Sequence, residues 1–115
     1  MKIIVAGGRE FNNYKLLKEK LDYFLKNKTD IEIVSGKQRG ADTLGENYAK
    51  EKGYKIQPFP PDWNTYGLSA GYKRNKQMAE YADSCVCFWD GKSPGTKSMI
   101  GLAKKYNLNL RIVKY

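Results

Sequence analysis

Residues 2–9 read Lys2-Ile3-Ile4-Val5-Ala6-Gly7-Gly8-Arg9. The apolar run is too uniform to alternate between a wet and a dry face, and it breaks on two glycines and an arginine. A strand that is apolar on both sides belongs in a parallel sheet covered by helices on both faces. With a first strand at Lys2–Ala6, further strand candidates fall at Ile31–Ser35, Tyr54–Phe59, Ser84–Trp89 and Leu110–Lys114. The second, fourth and fifth of these five are again near-continuous apolar runs.

Helical patterns fill the intervals. Asn12 or Asn13 can cap a first helix with Leu17, Leu21, Phe24 and Leu25 along one stripe. A second runs from about Gly40 to Lys52, with Ala41, Leu44, Tyr48 and Ala49 inward and Gly53 as its stop. A third runs from about Ser69 to Ala82 with Met78 and Tyr81 on its apolar side. A fourth, from about Gly95 to Tyr106, carries Ile100, Ala103 and Tyr106. Such alternation predicts right-handed crossovers and an α/β fold: a Rossmann-like, doubly wound parallel sheet of about five strands, strand 1 central, helices on both faces.

A chain of 115 residues, 41% hydrophobic, suits a single domain over residues 1–115. No apolar run approaches the roughly 18 residues of a membrane span, and the N-terminal run is too short for a signal peptide, so a cytoplasmic protein is expected. With 21 Lys and Arg against 12 Asp and Glu, the net charge of +9 favours polyanionic partners. Many lysines, such as Lys15, Lys18 and Lys26, also decorate solvent faces of helices. Cys85 and Cys87 share one face of a strand, poorly placed to bridge each other, and read as buried small hydrophobes. With no histidine and no second cysteine pair, no metal and no cofactor are expected.

Ligands of open α/β sheets collect where strands end and helices begin. Three such junctions share a composition: Gly7-Gly8-Arg9; Ser35-Gly36-Lys37-Gln38-Arg39-Gly40-Ala41-Asp42; and, after Trp89, Asp90-Gly91-Lys92-Ser93-Pro94-Gly95-Thr96. Any one could be a tight turn. Three alike point to backbone amides and helix N-termini gathered around an anion. None is a Walker A loop or a G-x-G-x-x-G fingerprint. Of the four arginines, Arg9, Arg39 and Arg74 fall at strand ends or helix starts, where a planar fork suits phosphate. Arg111 reads as a surface ion pair. Asp42 is either a carboxylate complementing the first turn of a helix or a ligand contact, whereas Asp90 sits at a strand's carboxyl end.

Five segments belong together: Ile4–Phe11; Val34-Ser35-Gly36 with Arg39–Asp42; Pro61-Asp62-Trp63 with Tyr66-Gly67; Ala70-Gly71 with Arg74-Asn75 and Met78-Ala79; and Phe88–Gly91 with Ser93, Gly95 and Thr96. In this order they resemble the SLOG superfamily, which includes the DNA-processing protein A domain and the Lonely Guy enzymes, and within it the small YspA-like family. The resemblance implies a nucleotide-type ligand over the junctions and adds Asn75 to the candidate contacts. In Lonely Guy enzymes a P-G-G-x-G-T-x-x-E motif carries the catalytic glutamate; the matching stretch here puts Met99 at that position. Phosphate-cradling parts are kept and the catalytic part is missing.

Three functions follow as expectations. The first is capture of a phosphorylated nucleotide or nucleotide-derived signal, for sensing or sequestration. The second is a nucleotide N-glycosidase or phosphoribohydrolase-like enzyme using Asp42, Glu46, Asp62 or Asp90. The third is single-stranded nucleic-acid binding, with Trp63 and Tyr66 as stacking platforms; in the first they form a lid over the base. The resemblance also implies a homo-oligomer, for which Tyr48, Tyr72 and Tyr81 are helix aromatics that could serve.

Overall fold

A computed structural model describes residues 1–115. The elements run β1 (Lys2–Gly7), α1 (Tyr14–Phe24), β2 (Glu32–Ser35), α2 (Ala41–Lys52), β3 (Lys55–Pro58), α3 (Trp63–Tyr66), a 3-10 turn (Gly67–Ser69), α4 (Ala70–Tyr81), β4 (Ser84–Trp89), α5 (Pro94–Lys105) and β5 (Asn109–Lys114). All five strands are parallel, in the order β3-β2-β1-β4-β5. The predicted fold is the observed one, with β1 central.

The uniform apolarity of β1 has a direct cause. Ile3 and Val5 pack among residues of α1 and α2, and Ile4 and Ala6 pack among residues of α4 and α5. Both faces of the strand are therefore dry. Leu17 and Leu21 of α1 are fully buried, each stabilising the fold by about 1.5–3 kcal/mol on transfer from water. Asn13 caps α1, its side chain accepting the Leu16 N–H at 3.0 Å. Cys85 and Cys87 are buried and unbridged, their sulfurs 3.6 Å apart. No helix is long and apolar enough to cross a membrane.

After β3, Asp62 accepts the Thr65 N–H at 3.1 Å and so caps the short helix α3. Three expectations need correction. β5 is an edge strand with only Val113 buried, since one side has no neighbouring strand. Arg111 makes no ion pair; its guanidinium lies over the half-buried Phe24 ring, 5.7 Å from its centre. Tyr48 is no free surface aromatic: it is core, 1% exposed, and its hydroxyl donates to Asp22 Oδ1 at 2.7 Å. Tyr81 is likewise engaged, packing on Phe59 and donating to Glu32. Of the three aromatics considered for self-association, only Tyr72 is exposed.

Candidate functional site

Because every strand is parallel, Gly7, Ser35 and Trp89 end on one edge of the sheet. At that edge β1 and β4 lie side by side, but the chain leaves β1 toward β2 and leaves β4 toward β5. The loops part there, as at any topological switch point, and a crevice opens between them. It is a cleft of about 660 Å³.

Eleven of the predicted residues line it: Gly7, Gly8, Arg9, Asp42, Trp63, Arg74, Asn75, Asp90, Ser93, Gly95 and Thr96. The others do not, and their contacts say why. Gly40 has φ +84°, and a Cβ there would fall on the Gly8 carbonyl oxygen and 2.6 Å from that of Arg9. With the Ala41 N–H donating to Gly8 O at 3.2 Å, Gly40 and Ala41 dock α2 against the β1 loop and stand behind the cleft. Ser35 is buried and donates to Glu46 at 2.6 Å. Arg39 is at the surface, paired with Glu10 at 2.6 Å. Trp89 is spent on the Ser93 carbonyl at 3.1 Å, and Tyr66 lies under Lys73 Nζ, 4.9 Å from the ring centre.

Two arginines, Arg9 and Arg74, line the cleft together with the carboxylates Glu10, Asp42 and Asp90. Arg74 is 5% exposed; Nη1 donates to the Gly36 carbonyl and Nε to Asn75 Oδ1 at 2.8 Å. Nη2 has no acceptor in the chain, and no fully enclosed side-chain nitrogen or oxygen lacks a partner. That nitrogen therefore opens on the cleft. Burial pulls the Arg74 pKa down, the Asp42 charge opposes this, and the neighbouring Arg9 adds to it. Arg9, which also lines the cleft, has no carboxylate partner. Beside α4, against which it packs, α5 begins with Pro94, which has no N–H, and the Gly95 and Thr96 amides find no acceptor. Two guanidinium groups and an uncapped helix N-terminus thus face one space, an arrangement suited to phosphate oxygens.

The carboxylates are less free than the sequence suggests. Asp90 Oδ1 accepts the Lys92 and Ser93 N–H groups, both at 2.8 Å; these bonds hold its pKa below the usual carboxylate range and shape the turn into α5. Asp62 caps α3. Burial disfavours ionised Glu46, but hydrogen bonds from Ser35 and Lys37 and the Lys37 charge outweigh it, leaving its pKa lowered. Asp42 differs. Burial raises its pKa to about 7, against the opposing pull of Arg74 and of the Gln38 and Gly36 amides. Met99 sits in the cleft lining, 1% exposed and packed in the α4–α5 core.

Other lining residues were not among the predicted contacts. Gly71 and Met78 share a helical stripe with Arg74 and Asn75, at the i, i+3, i+4, i+7 spacing that could have revealed them. Tyr115 had no local signal. It follows the edge strand, and its hydroxyl lies 2.6 Å from where a Cβ of Gly8 would stand. Tyr72, Glu10, Gln38 and Ser98 complete the rim.

The sequence model of the YspA, cpYpsA-related SLOG family matches residues 1–66. The chain belongs to this family. The matched part carries β1, the Gly36–Asp42 loop and Trp63, while the α4 and α5 walls of this SLOG cleft, with Arg74 and Met99, lie beyond it. Among solved structures the chain is similar to the C-terminal domain of a hydrogenase from Pyrococcus furiosus, with a TM-score of 0.50 and 15% identity over 96% of this chain and 89% of that one. At that identity the likeness is one of fold. A search of curated proteins finds no match.

Proposed function

We propose that the cleft captures a phosphorylated nucleotide or nucleotide-derived ligand and holds it without turnover. SLOG membership supports a nucleotide-related ligand. The observation that carries the assignment is Arg74: a buried guanidinium whose Nη2 has no acceptor and opens on the cleft beside Arg9. Phosphate oxygens take the guanidinium groups and the Gly95 and Thr96 amides. The base lies against Trp63, Tyr72 or Tyr115, whose exposed rings border the same space.

Holding without chemistry follows from what surrounds the ligand. Contacts to a bound phosphate act equally on ground and transition states and lower no barrier. Glycosidic cleavage needs charge placed where the ribosyl cation develops, and Met99 offers none. In this role the protein works in the cytoplasm by sensing or sequestration, with Tyr72 available to a homo-oligomer contact.

One observation favours the enzymatic alternative: a carboxyl raised to about 7 in a cleft is a trait of general acids and bases. Native mass spectrometry of freshly purified protein, followed by chromatography after incubation with nucleoside monophosphates, separates the two. Intact nucleotide recovered from the denatured complex supports capture. Free base released by the wild type and abolished in Asp42→Asn would make Asp42 a catalyst. Arg74→Ala is expected to weaken binding by about 1.5–3 kcal/mol; unchanged affinity in a folded variant removes Arg74 from the site.

A further inference from the structure

Asp42 and Arg74 are each 5% exposed, and Asp42 Oδ2 and Arg74 Nη1 both lie 2.8 Å from the point where a Cβ of Gly36 would stand. Yet they form no ion pair at contact distance. The carboxylate takes only a long hydrogen bond, 3.4 Å, from the Gln38 N–H, with the Gly36 amide also facing it. The ionisable groups around it are few. Arg74 comes from α4, with Arg9 beyond it; Glu46 comes from α2, already held by Ser35 and Lys37; and the Cys85 thiol comes from β4.

We propose that Asp42 is a specificity-determining residue of the cleft: it is the internal counter-ion of Arg74, and it takes up a proton when an anionic group settles on the free side of that guanidinium. The proposal rests on the reading that the cleft takes a phosphorylated ligand, and it adds which anions are held and at what pH. Two anions cannot share one buried cation at little cost, because nearby like charges in a poorly solvated site favour the protonated form of the weaker acid. The proton comes from solvent and goes to an Asp42 carboxyl oxygen; no other bond changes. A ligand that brings its own donor, such as a monohydrogen phosphate or a hydroxyl beside the phosphate, satisfies Asp42 directly. A fully ionised anion must draw a proton first. Burial has already brought Asp42 to about 7, and the chain has no histidine to confuse the response.

The test is carboxyl carbon-13 NMR of the whole protein between about pH 5 and about pH 9, with and without sulfate at constant ionic strength. Sulfate mimics phosphate but does not titrate in this range. Without sulfate, the Asp42 midpoint is expected near neutrality and higher still in Arg74→Gln. With saturating sulfate the wild-type midpoint rises. Sulfate affinity, read from the Arg74 Nε resonance, falls about tenfold per pH unit between the two midpoints, and Asp42→Asn abolishes that slope. Sulfate bound at Arg74 with pH-independent affinity, or an Asp42 midpoint in the ordinary carboxylate range, overturns the proposal and leaves phosphate binding standing. Absence of sulfate binding at Arg74 at every pH overturns the phosphate-binding reading itself, and this inference falls with it.

Discussion

Replacing Asp42 with asparagine should change how the stability of the fold depends on pH. In the unfolded chain an aspartate titrates near its ordinary value, about 3.9; in the folded protein burial lifts Asp42 to about 7. Between these values the folded state binds more protons than the unfolded one, so stability falls as pH rises. The loss begins near pH 4 and is complete above about pH 7. A gap of about 3 pKa units corresponds to roughly 4 kcal/mol at about 1.36 kcal/mol per unit. Against a typical domain stability of about 5–15 kcal/mol, that is a large fraction. The asparagine side chain of Asp42→Asn keeps the shape and an acceptor oxygen for the Gln38 N–H but cannot ionise. The Arg74 attraction is already contained in the folded-state value, and any pH-independent cost of the substitution cancels when slopes are compared. Urea unfolding of both proteins across about pH 4 to pH 8 is the assay. The wild type should lose about 2–4 kcal/mol relative to Asp42→Asn across that window. A difference flat to within about 0.5 kcal/mol would refute the assignment of a raised folded-state pKa.

Other expectations follow from packing. Gly40→Ala combines φ +84° with a Cβ driven onto the Gly8 carbonyl and should cost at least about 2 kcal/mol, whereas Gly53→Ala, at φ +75° with nothing within 4 Å, should cost only about 1; equal losses by chemical denaturation would mean that close approach is irrelevant. Tyr48→Phe removes the hydroxyl held by Asp22 and should cost about 0.5–1.5 kcal/mol; a stabilised variant in the same experiment would contradict that. Met99→Glu places a carboxyl in an apolar core and should lower stability by about 2–4 kcal/mol without producing base release from nucleoside monophosphates. Chromatography showing release by a folded Met99→Glu protein would mean that the cleft lacks nothing but that carboxylate.

Much was readable from local pattern. A side chain's environment repeats every two residues in a strand and about every 3.6 in a helix, so the double burial of β1, the stripe Leu17–Leu21–Leu25 and the strands of the sheet follow from short windows. The parallel arrangement then brings the glycine junctions to one edge whatever fills them. Even the role of Asp90 was partly local, since its carboxylate bonds amides two and three residues on.

What the tertiary structure alone decided was which of two equal residues points inward. Arg39 and Arg74 are the same side chain, Arg39 in the loop before α2 and Arg74 within α4. One reaches Glu10, 29 residues away, and stays in solvent; the other reaches Gly36, 38 residues away, and is buried. Tyr48 looked like a candidate for a subunit contact until α1 supplied Asp22 as a partner. Tyr115 reaches Gly8 only because β5 registers on β4. Hydrophobic periodicity is a property of consecutive residues and is written in the sequence. The partner of a charged or hydroxyl group lies far along the chain, and which partner it finds depends on distances and solvent exclusion that exist only once the sheet has assembled.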